Sequence, residues 1–357
     1  KYLRSPGAEV RDAAAAAVAG AETPLEKVRA VYDYVRTSIE CDCGGGISVE
    51  HAPKDVLKNK TGDGPSINLL LVAMLREAGF TADPVLLSTR SHGSPRTTYP
   101  ILSQFNDLIA QVEVSGTRLF LDATDEYRPV DLLPYESLNG EVWVVRNPGA
   151  QWVGIGTEQK HHQQRVVTME LAEDGSATGA LQAADGGYAA LTTRHALDDE
   201  DLSSEEAYVR DDIFDGLSGL TLSNVVVTNP DDHRERVQIA ADFALDAAAN
   251  TAGDFLYLAP ILLDRVEENP LKAPTREFPV DMGYGPSWAE CADLEVPEGQ
   301  ELPAELDDVP TFRPNLLVGR HRHVLHQRKA IIAVHDGKAV FQTQFLGFAA
   351  QDLHPQR

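Results

Sequence analysis

The polar turn that opens the segment from Thr61 to Gly79 is where this sequence could hold a reactive side chain. A helix N-terminus presents free N–H groups and the positive end of the helix dipole, so it stabilises a thiolate or another anionic nucleophile. The residue at that position is Gly64, which has no side chain. The hydroxyl of Ser66 points about 200° away from position 64 around the helix. We therefore interpret Ser66 as a first-turn hydroxyl that accepts a backbone N–H rather than as a nucleophile.

Other nucleophiles and bases in this half of the chain are weak candidates. A serine hydrolase needs a base with a pKa near neutrality. The hydroxyls of Thr61 and Ser103 have no such base beside them in the sequence. His51 and His92 stand in loop or helix-start contexts, so we interpret both as surface residues.

Two pairs of side chains could bind a metal ion. Cys41 and Cys43 form a Cys-x-Cys pair, but no second ligand pair follows at a recognisable spacing. His321 and His323 would share one face of a strand. The positive charges of the same stretch would repel a metal cation there; they are Arg320, Arg322, Arg328 and Lys329. We predict neither a metal nor a cofactor and leave both pairs open. Three cysteines do not make a disulfide framework.

The segment that follows the turn has the periodicity of a core-facing helix. Asp63 is the predicted N-cap, Pro65 suits the first turn, and Gly79 ends the run. The apolar residues recur at i, i+3 and i+4: Leu70, Leu71, Met74, Leu75 and Ala78. A single buried stripe is therefore expected.

Helices precede this segment and strands follow it, which predicts an α+β arrangement. Thr23, Pro24 and Glu26 are a strong helix start signal. The predicted elements are a helix at Pro6–Gly20, a helix after Thr23, a helix at Ala52–Asn59, and strands at Ala82–Thr89, Asp107–Val114 and Arg118–Asp122. Arg90–Tyr99 is rich in Ser, Thr, Gly and Pro, and we expect a mobile loop there.

The order of five motifs between about Ser5 and Pro134 resembles the transglutaminase-like superfamily, which has a papain-like fold. The motifs are TPLEKVRAVYDYV, APKDVLKNKTGDG, LLVAMLREAGFTADPVLLST, FNDLIAQVEV and FLDAT. In that family a Gly-Asp-Cys motif supplies the nucleophile, Phe-Asn-His supplies the base, and Leu-Asp-Pro-Thr supplies the acid that orients the histidine.

The resemblance places Gly64 at the nucleophile position, Asp107 at the base position and Asp122 at the position of the orienting acid. Only the third residue matches the family. Glycine offers no nucleophile, and two adjacent carboxylates would raise one pKa instead of building a relay. The resemblance therefore implies a scaffold that has kept its shape and lost its thiol–imidazole chemistry.

The sequence predicts β structure for the second half of the chain. We expect a transglutaminase-like domain at 1–140 and a β-rich domain at 141–357, with short antiparallel strands in a sandwich-like arrangement and a helical insertion near 199–216. Three segments resemble the β domain that follows the core in a group of large bacterial envelope proteins: Asp254–Pro260, Asn269–Pro270 and Arg276–Val280.

The composition narrows the choice of partners. The formal net charge of −24 argues against nucleic acid, because phosphate binding needs clustered Lys and Arg. The charge is also consistent with adaptation to high salt. No run of 18 apolar residues predicts a membrane span. The chain begins at Lys1 without a signal peptide, and we expect a processed or truncated protein of the periplasmic or extracellular envelope.

Two functions remain open from the sequence. The favoured one is a catalytically inactive transglutaminase-like protein that acts as a binding or structural module for a peptide, a glycan or a neighbouring domain of the same protein. The alternative is a hydrolase, acting on peptides or glycans, that uses the carboxylates of Asp63, Asp107 and Asp122 as acid and base. Against it, Asp63 could be only a helix cap and Asp122 only a structural acceptor.

Overall fold

The computed structural model describes residues 2–42, 44–99, 101–199, 203–252, 255–258, 263, 286–295, 328–335 and 338–345. The chain forms two compact units, Lys1–Lys160 with Met282–Pro286 and His161–Asp281 with Ser287–Arg357. Mixed helices and antiparallel sheets confirm the predicted α+β class. Cys43, His321, His323, Asn269–Pro270 and Arg276–Val280 lie outside the described residues, so the predictions made for them stay predictions.

The first unit combines helices with an antiparallel sheet. Its described helices are α1 (Ala8–Ala17), α2 (Pro24–Ser38), α3 (Pro53–Asn59) and α4 (Gly64–Glu77). A short parallel pair, β1 (Glu40–Cys41) with β2 (Thr61–Gly62), leads into α4. The sheet contains β3 (Thr81–Leu87), β4 (Asp107–Val114), β5 (Thr117–Leu121), β6 (Glu141–Val144) and β7 (Gln151–Gly154), in the order β5-β4-β3-β6-β7. Because β6 pairs with β3, the unit continues to Lys160, past the boundary expected after residue 140.

Helix α4 is the central element of the first unit. Every residue from Gly64 to Leu75 is buried, because the helix packs against α1, α2 and α3 and also against β3 and β4. The sequence predicted one apolar stripe, but a helix enclosed by other helices and by the sheet has almost no solvent face.

The structure confirms Asp63 as the N-cap residue of α4, but its side chain accepts no capping hydrogen bond. An N-cap side chain normally accepts from the N–H of the second or third helical residue. The second residue here is Pro65, which has no N–H. Helix α2, by contrast, begins with the predicted capping box, in which Thr23 Oγ1 accepts from Glu26 N at 3.2 Å and Glu26 Oε2 accepts from Thr23 N at 2.8 Å.

The second unit contains two antiparallel sheets. The first is built from β8 (His161–Leu171), β9 (Ala177–Gly187), β10 (Leu220–Thr228), β11 (Val237–Leu245) and β14 (Pro286–Glu295), in the order β10-β11-β9-β8-β14. The second contains β12 (Ala249–Ala252), β13 (Phe255–Leu258), β15 (Arg328–His335) and β16 (Lys338–Phe345), in that order. This unit follows the core as an antiparallel β region.

The helical insertion of the second unit differs from its prediction. Instead of one helix at 199–216, the structure has α6 (Glu205–Tyr208) followed by a π-helical turn at Val209–Ile213. A further helix, α5 (Tyr188–Leu197), was not expected. Tyr208, Val209, Ile213 and Phe214 join the core formed by the strands, so the insertion packs on the sheet. The sandwich-like arrangement stays a prediction.

Within the described ranges, no helix combines the length and the apolar character that a membrane crossing requires.

Gly179 on β9 is a position where the packing requires glycine. A Cβ there would lie 2.6 Å from Phe243 Cζ and would also meet the Thr168 carbonyl oxygen. Gly186, on the same strand, is a matched control because its Cβ would meet nothing closer than Arg236 Cγ at 3.4 Å. We expect Gly179→Ala to lower the free energy of unfolding of the second unit by roughly 1–3 kcal/mol, as overpacking does. Gly186→Ala should leave it nearly unchanged in denaturant titrations, and equal losses in the two variants would contradict this packing.

Candidate functional site

The site is built around the first residue of α4. Gly64 is buried, and its backbone φ is not in the left-handed region. A Cβ at this position would lie 3.5 Å from Thr124 Cγ2 and 3.9 Å from the Gly44 carbonyl oxygen. Both are ordinary van der Waals distances, so the position could carry a side chain without strain. The absence of a nucleophile is therefore not forced by the packing.

The β1–β2 pair places the chain around Gly44 beside the start of α4. Cys41 pairs with Gly62, and Asp42 N donates to the Gly62 carbonyl oxygen at 3.1 Å. Gly44 N in turn lies 3.4 Å from Asp42 Oδ1. The chain around Gly44 therefore borders the site.

Asn68, one turn along α4 from Gly64, joins the helix to two strands. Its Nδ2 donates to Asp122 Oδ1 and to the Leu108 carbonyl oxygen, both at 3.0 Å, and its Oδ1 accepts from Ala123 N at 3.0 Å. Leu108 is the residue after Asp107, so these bonds bring all three positions implied by the resemblance to one place. The sequence analysis missed Asn68, although a single amide within an apolar run, four residues after the turn, was a signal.

The Asp122 carboxylate accepts hydrogen bonds from other groups of the protein. Its Oδ1 accepts from Asn68 and from Thr124 N at 3.1 Å, and its Oδ2 accepts from Arg128 Nη1 at 3.3 Å. Arg128 also donates to Asp125 Oδ2 at 3.0 Å. Asp122 and Arg128 are both buried, and a buried carboxylate is tolerated when it is paired and hydrogen-bonded in this way. Asp122 is therefore a structural acceptor, and Arg128 is a partner that the sequence analysis did not identify.

Helix α2 fixes the segment from Asp122 to Arg128 by its backbone. The Tyr32 hydroxyl lies 2.9 Å from the Asp122 carbonyl oxygen and 3.0 Å from that of Arg128. Burial raises the pKa of Tyr32, so the phenol stays a neutral donor. Arg36 Nη1 donates to the Glu126 carbonyl oxygen of the same segment.

Asp107 has a different environment. It is half-buried, and its one hydrogen bond among the described residues comes from Leu108 N to Oδ1 at 2.8 Å. Burial, and secondly the charge of Asp122, raise the pKa of Asp107 to about 6. The pairing of carboxylates expected from the sequence therefore exists, although burial contributes more than the like charge.

The remaining polar residues near the helix start do not form a catalytic set. Asp63 is buried, with 6% of its surface exposed, and no described residue donates a hydrogen bond to its Oδ1. Ser66 Oγ accepts from His51 N at 3.0 Å, which confirms it as a first-turn hydroxyl that satisfies a backbone N–H. His51, His92, Thr61 and Ser103 are exposed. Across the described residues, no group of three or more His, Cys, Asp or Glu side chains could hold a metal ion.

The loop between β3 and β4, predicted to be mobile, is tied down at its start. Asn106 Oδ1 accepts from Thr89 N at 2.8 Å, and Arg90 N donates to the Glu136 carbonyl oxygen at 2.9 Å. Asn139 Nδ2 lies 3.0 Å and 3.1 Å from the carbonyl oxygens of Ser88 and Thr89. These bonds fix the entry to Asp107 from the loop side, while mobility of the rest of the loop stays a prediction.

Two solved structures are similar to parts of this chain. One is a candidate protease from Parabacteroides distasonis, with 14% identity, 68% of this chain and 50% of that chain covered, and a TM-score of 0.39. The other is a candidate cysteine protease from Cytophaga hutchinsonii, with 16% identity, 34% and 38% covered, and a TM-score of 0.26. This chain spans half the length of the first protein and less of the second, and these scores support no argument about activity. No curated protein matches the chain.

The sequence profile of the transglutaminase-like superfamily core matches residues 11–125. The matched segment contains α1 to α4 and β3 to β5, and it includes Gly64, Asn68, Asp107 and Asp122. Residues 11–125 are therefore a transglutaminase-like core.

Proposed function

We propose that this protein is a catalytically inactive transglutaminase-like module that binds a ligand beside the start of α4. The observation that carries the proposal is Gly64, which leaves the first helical position without a side chain although a Cβ would fit there. Acyl transfer through a thioester needs a nucleophile at that position and a base that takes up its proton. Gly64 and Asp107 supply neither a thiol nor an imidazole.

The room at Gly64 favours a binding role over a purely structural one. In a module that served only as a spacer, neighbouring side chains would be expected to fill the vacated position. Among the described residues, only Thr124 Cγ2 and the Gly44 carbonyl oxygen come within 4 Å of the Cβ position. A peptide, a glycan or a neighbouring domain of the same protein is the proposed partner. We further propose an envelope location, from the resemblance of the second half, and adaptation to high salt, from the net charge.

A second candidate, a hydrolase that uses carboxylates, is favoured by one observation. The pKa of Asp107, raised to about 6, would let it act as a general acid next to the side chain of Asp122. Against this candidate, the Asp122 carboxylate already accepts three hydrogen bonds from within the protein. A group so engaged is poorly placed to activate water.

The raised pKa of Asp107 has a consequence for stability. The folded state holds this proton up to about pH 6, whereas the unfolded chain releases it near 3.8. The contribution of Asp107 to stability is thus fully present below the unfolded pKa and is lost as the pH rises through 6. We expect Asp107→Asn to be more stable than wild type by on the order of 2 kcal/mol at pH 8. The difference should vanish near pH 4.

Denaturant titrations of the first unit from pH 4 to pH 8 measure this difference. Asp12→Asn is the control, because Asp12 is exposed on α1 and its removal changes the charge equally. A constant difference between Asp107→Asn and wild type across this range would show that Asp107 is not held in the described environment.

Restoring the family residues tests the proposed geometry. Gly64→Cys/Asp107→His would place a thiol next to an imidazole, in a background where Cys41, Cys43 and Cys291 are replaced by serine. We expect the new thiol to titrate below the ordinary value of about 8.5, because an adjacent imidazolium favours the thiolate. In Gly64→Cys alone, the Asp107 carboxylate opposes the thiolate, so the pKa of the thiol should be higher than in the double variant.

The rate of alkylation by iodoacetamide as a function of pH gives both thiol pKa values. The same value in the single and double variants would mean that positions 64 and 107 do not face each other. The proposed derivation from a catalytic site would then fail.

A further inference from the structure

We propose that the site beside Gly64 binds a peptide segment that carries a basic side chain and, about four residues away, a large apolar side chain. The basic side chain pairs with Asp107, and the apolar one rests on a patch formed by Tyr99, Ile101 and Leu102, called here the apolar patch. This inference rests on the proposed function and names the class of ligand for the same site.

The apolar patch is unusual for its exposure and its clustering. The exposed fractions of Tyr99, Ile101 and Leu102 are 69%, 60% and 64%. Seven large apolar residues are exposed among the described residues, and three of them fall within these four positions. Scattered apolar residues on a surface are ordinary, but a contiguous group marks an interaction site.

Hydrogen bonds of Gln104 hold the described part of the loop next to the patch. The Gln104 side chain braces it, because Oε1 accepts from Arg96 N at 2.9 Å and Nε2 donates to the Tyr99 carbonyl oxygen at 2.9 Å. Leu102 begins a short 3-10 turn that ends at Gln104, directly before Phe105. A preorganised loop loses little conformational entropy when a ligand binds.

The apolar patch lies within reach of Asp107 along the chain. A 3-10 turn rises about 2 Å per residue, and extended chain rises about 3.3 Å, so Leu102 and Asp107 are separated by at most about 13 Å. An extended peptide of four residues spans about the same distance. One short segment can therefore contact both features.

Among the described residues, no salt bridge to Asp107 is formed. Asp107 lies near the charge of Asp122, and Arg128, whose charge acts on Asp107, is paired with Asp122 and Asp125. Asp63, directly before Gly64, is buried with an Oδ1 that no described residue satisfies. Its Cβ lies 3.9 Å from the Cβ position of Gly44, the residue whose carbonyl borders the Gly64 space. An unpaired buried carboxylate is costly, so a cation entering here would be stabilised.

A basic side chain fits this environment better than the other ligands considered. The described residues contain no set of three His, Cys, Asp or Glu side chains able to hold a metal ion. An anionic ligand would be repelled by the carboxylates, and a neutral glycan would leave Asp107 uncompensated. The net charge of −24 attracts cations over long range and speeds their association.

Because the pKa of Asp107 is raised, the binding of a cationic ligand should depend on pH and release a proton. Below pH 6 the Asp107 carboxyl is protonated and cannot pair with a cation. Binding of a cation therefore releases a proton near pH 6, and the affinity falls as the pH drops below that value.

Calorimetric titration with four blocked pentapeptides tests the inference. The first two have the sequences lysine-alanine-alanine-alanine-leucine and its reverse, since the direction of the bound chain is open. In the third, norleucine replaces the lysine, and in the fourth, glycine replaces the leucine. At pH 7 and low salt we expect one lysine-leucine peptide to bind about tenfold more tightly than the norleucine peptide, a difference of the size that one charge pair provides.

Protein variants separate the two contacts. Asp107→Asn should reduce the affinity for the lysine-leucine peptide about tenfold and abolish proton release, while Asp12→Asn should change neither. Ile101→Ser/Leu102→Ser should lower the affinity for the lysine-leucine peptide and leave the affinity for the glycine peptide unchanged. Equal affinities for lysine and norleucine peptides, full affinity in Asp107→Asn, or no binding at millimolar peptide would each overturn the inference.

Mass analysis of the recovered peptides separates this inference from the proposed function. Cleaved or transferred peptide would contradict the proposed absence of catalysis. Intact peptide without binding would overturn only the assignment of the ligand.

Discussion

The buried hydrogen bonds of Asn68 are the constraint on which the site depends. One side chain on α4 reaches Asp122 at the end of β5 and the backbone next to Asp107 at the start of β4. A buried amide that lost these partners would leave several polar groups unsatisfied, each at a cost of about 1–3 kcal/mol. The helix start and the two strands are therefore held together whether or not Gly64 carries a reactive group.

This constraint explains how the scaffold is held together without a thiol at position 64 or an imidazole at position 107. Asp122 accepts hydrogen bonds from Asn68, Thr124 and Arg128, so its carboxylate has a structural role that does not need a histidine partner. Tyr32 and Arg36 of α2 bind the backbone of the same segment. Asp107 has no comparable set of donors and keeps a raised pKa. Asp107 is thus less compensated by hydrogen bonds than Asp122.

The sequence predicted the parts of the fold that follow from local patterns. The apolar periodicity of α4 and the capping signal before α2 were sufficient to place these two helices. The extension of the first sheet through β6 and β7 was not visible, because β6 pairs with β3 across more than fifty intervening residues. Helix α5 was missed because it follows directly from β9 without a polar capping residue, since its N-cap is Gly187.

The candidate site was predictable in outline and not in its connections. Ordered motifs were enough to bring Gly64, Asp107 and Asp122 together. The roles of Asn68 and Arg128, the lack of a capping hydrogen bond to the Asp63 side chain, and the partner of Ser66 all depend on side-chain directions, which sequence spacing does not specify.

Turnover by the purified chain tests the central claim most directly. The protein would be incubated with a glutamine-containing peptide and a fluorescent amine, and separately with amide and ester substrates. The account predicts no transfer and no hydrolysis above the rate of the buffer blank. Turnover that iodoacetamide abolishes, or that Asp107→Asn removes, would contradict it.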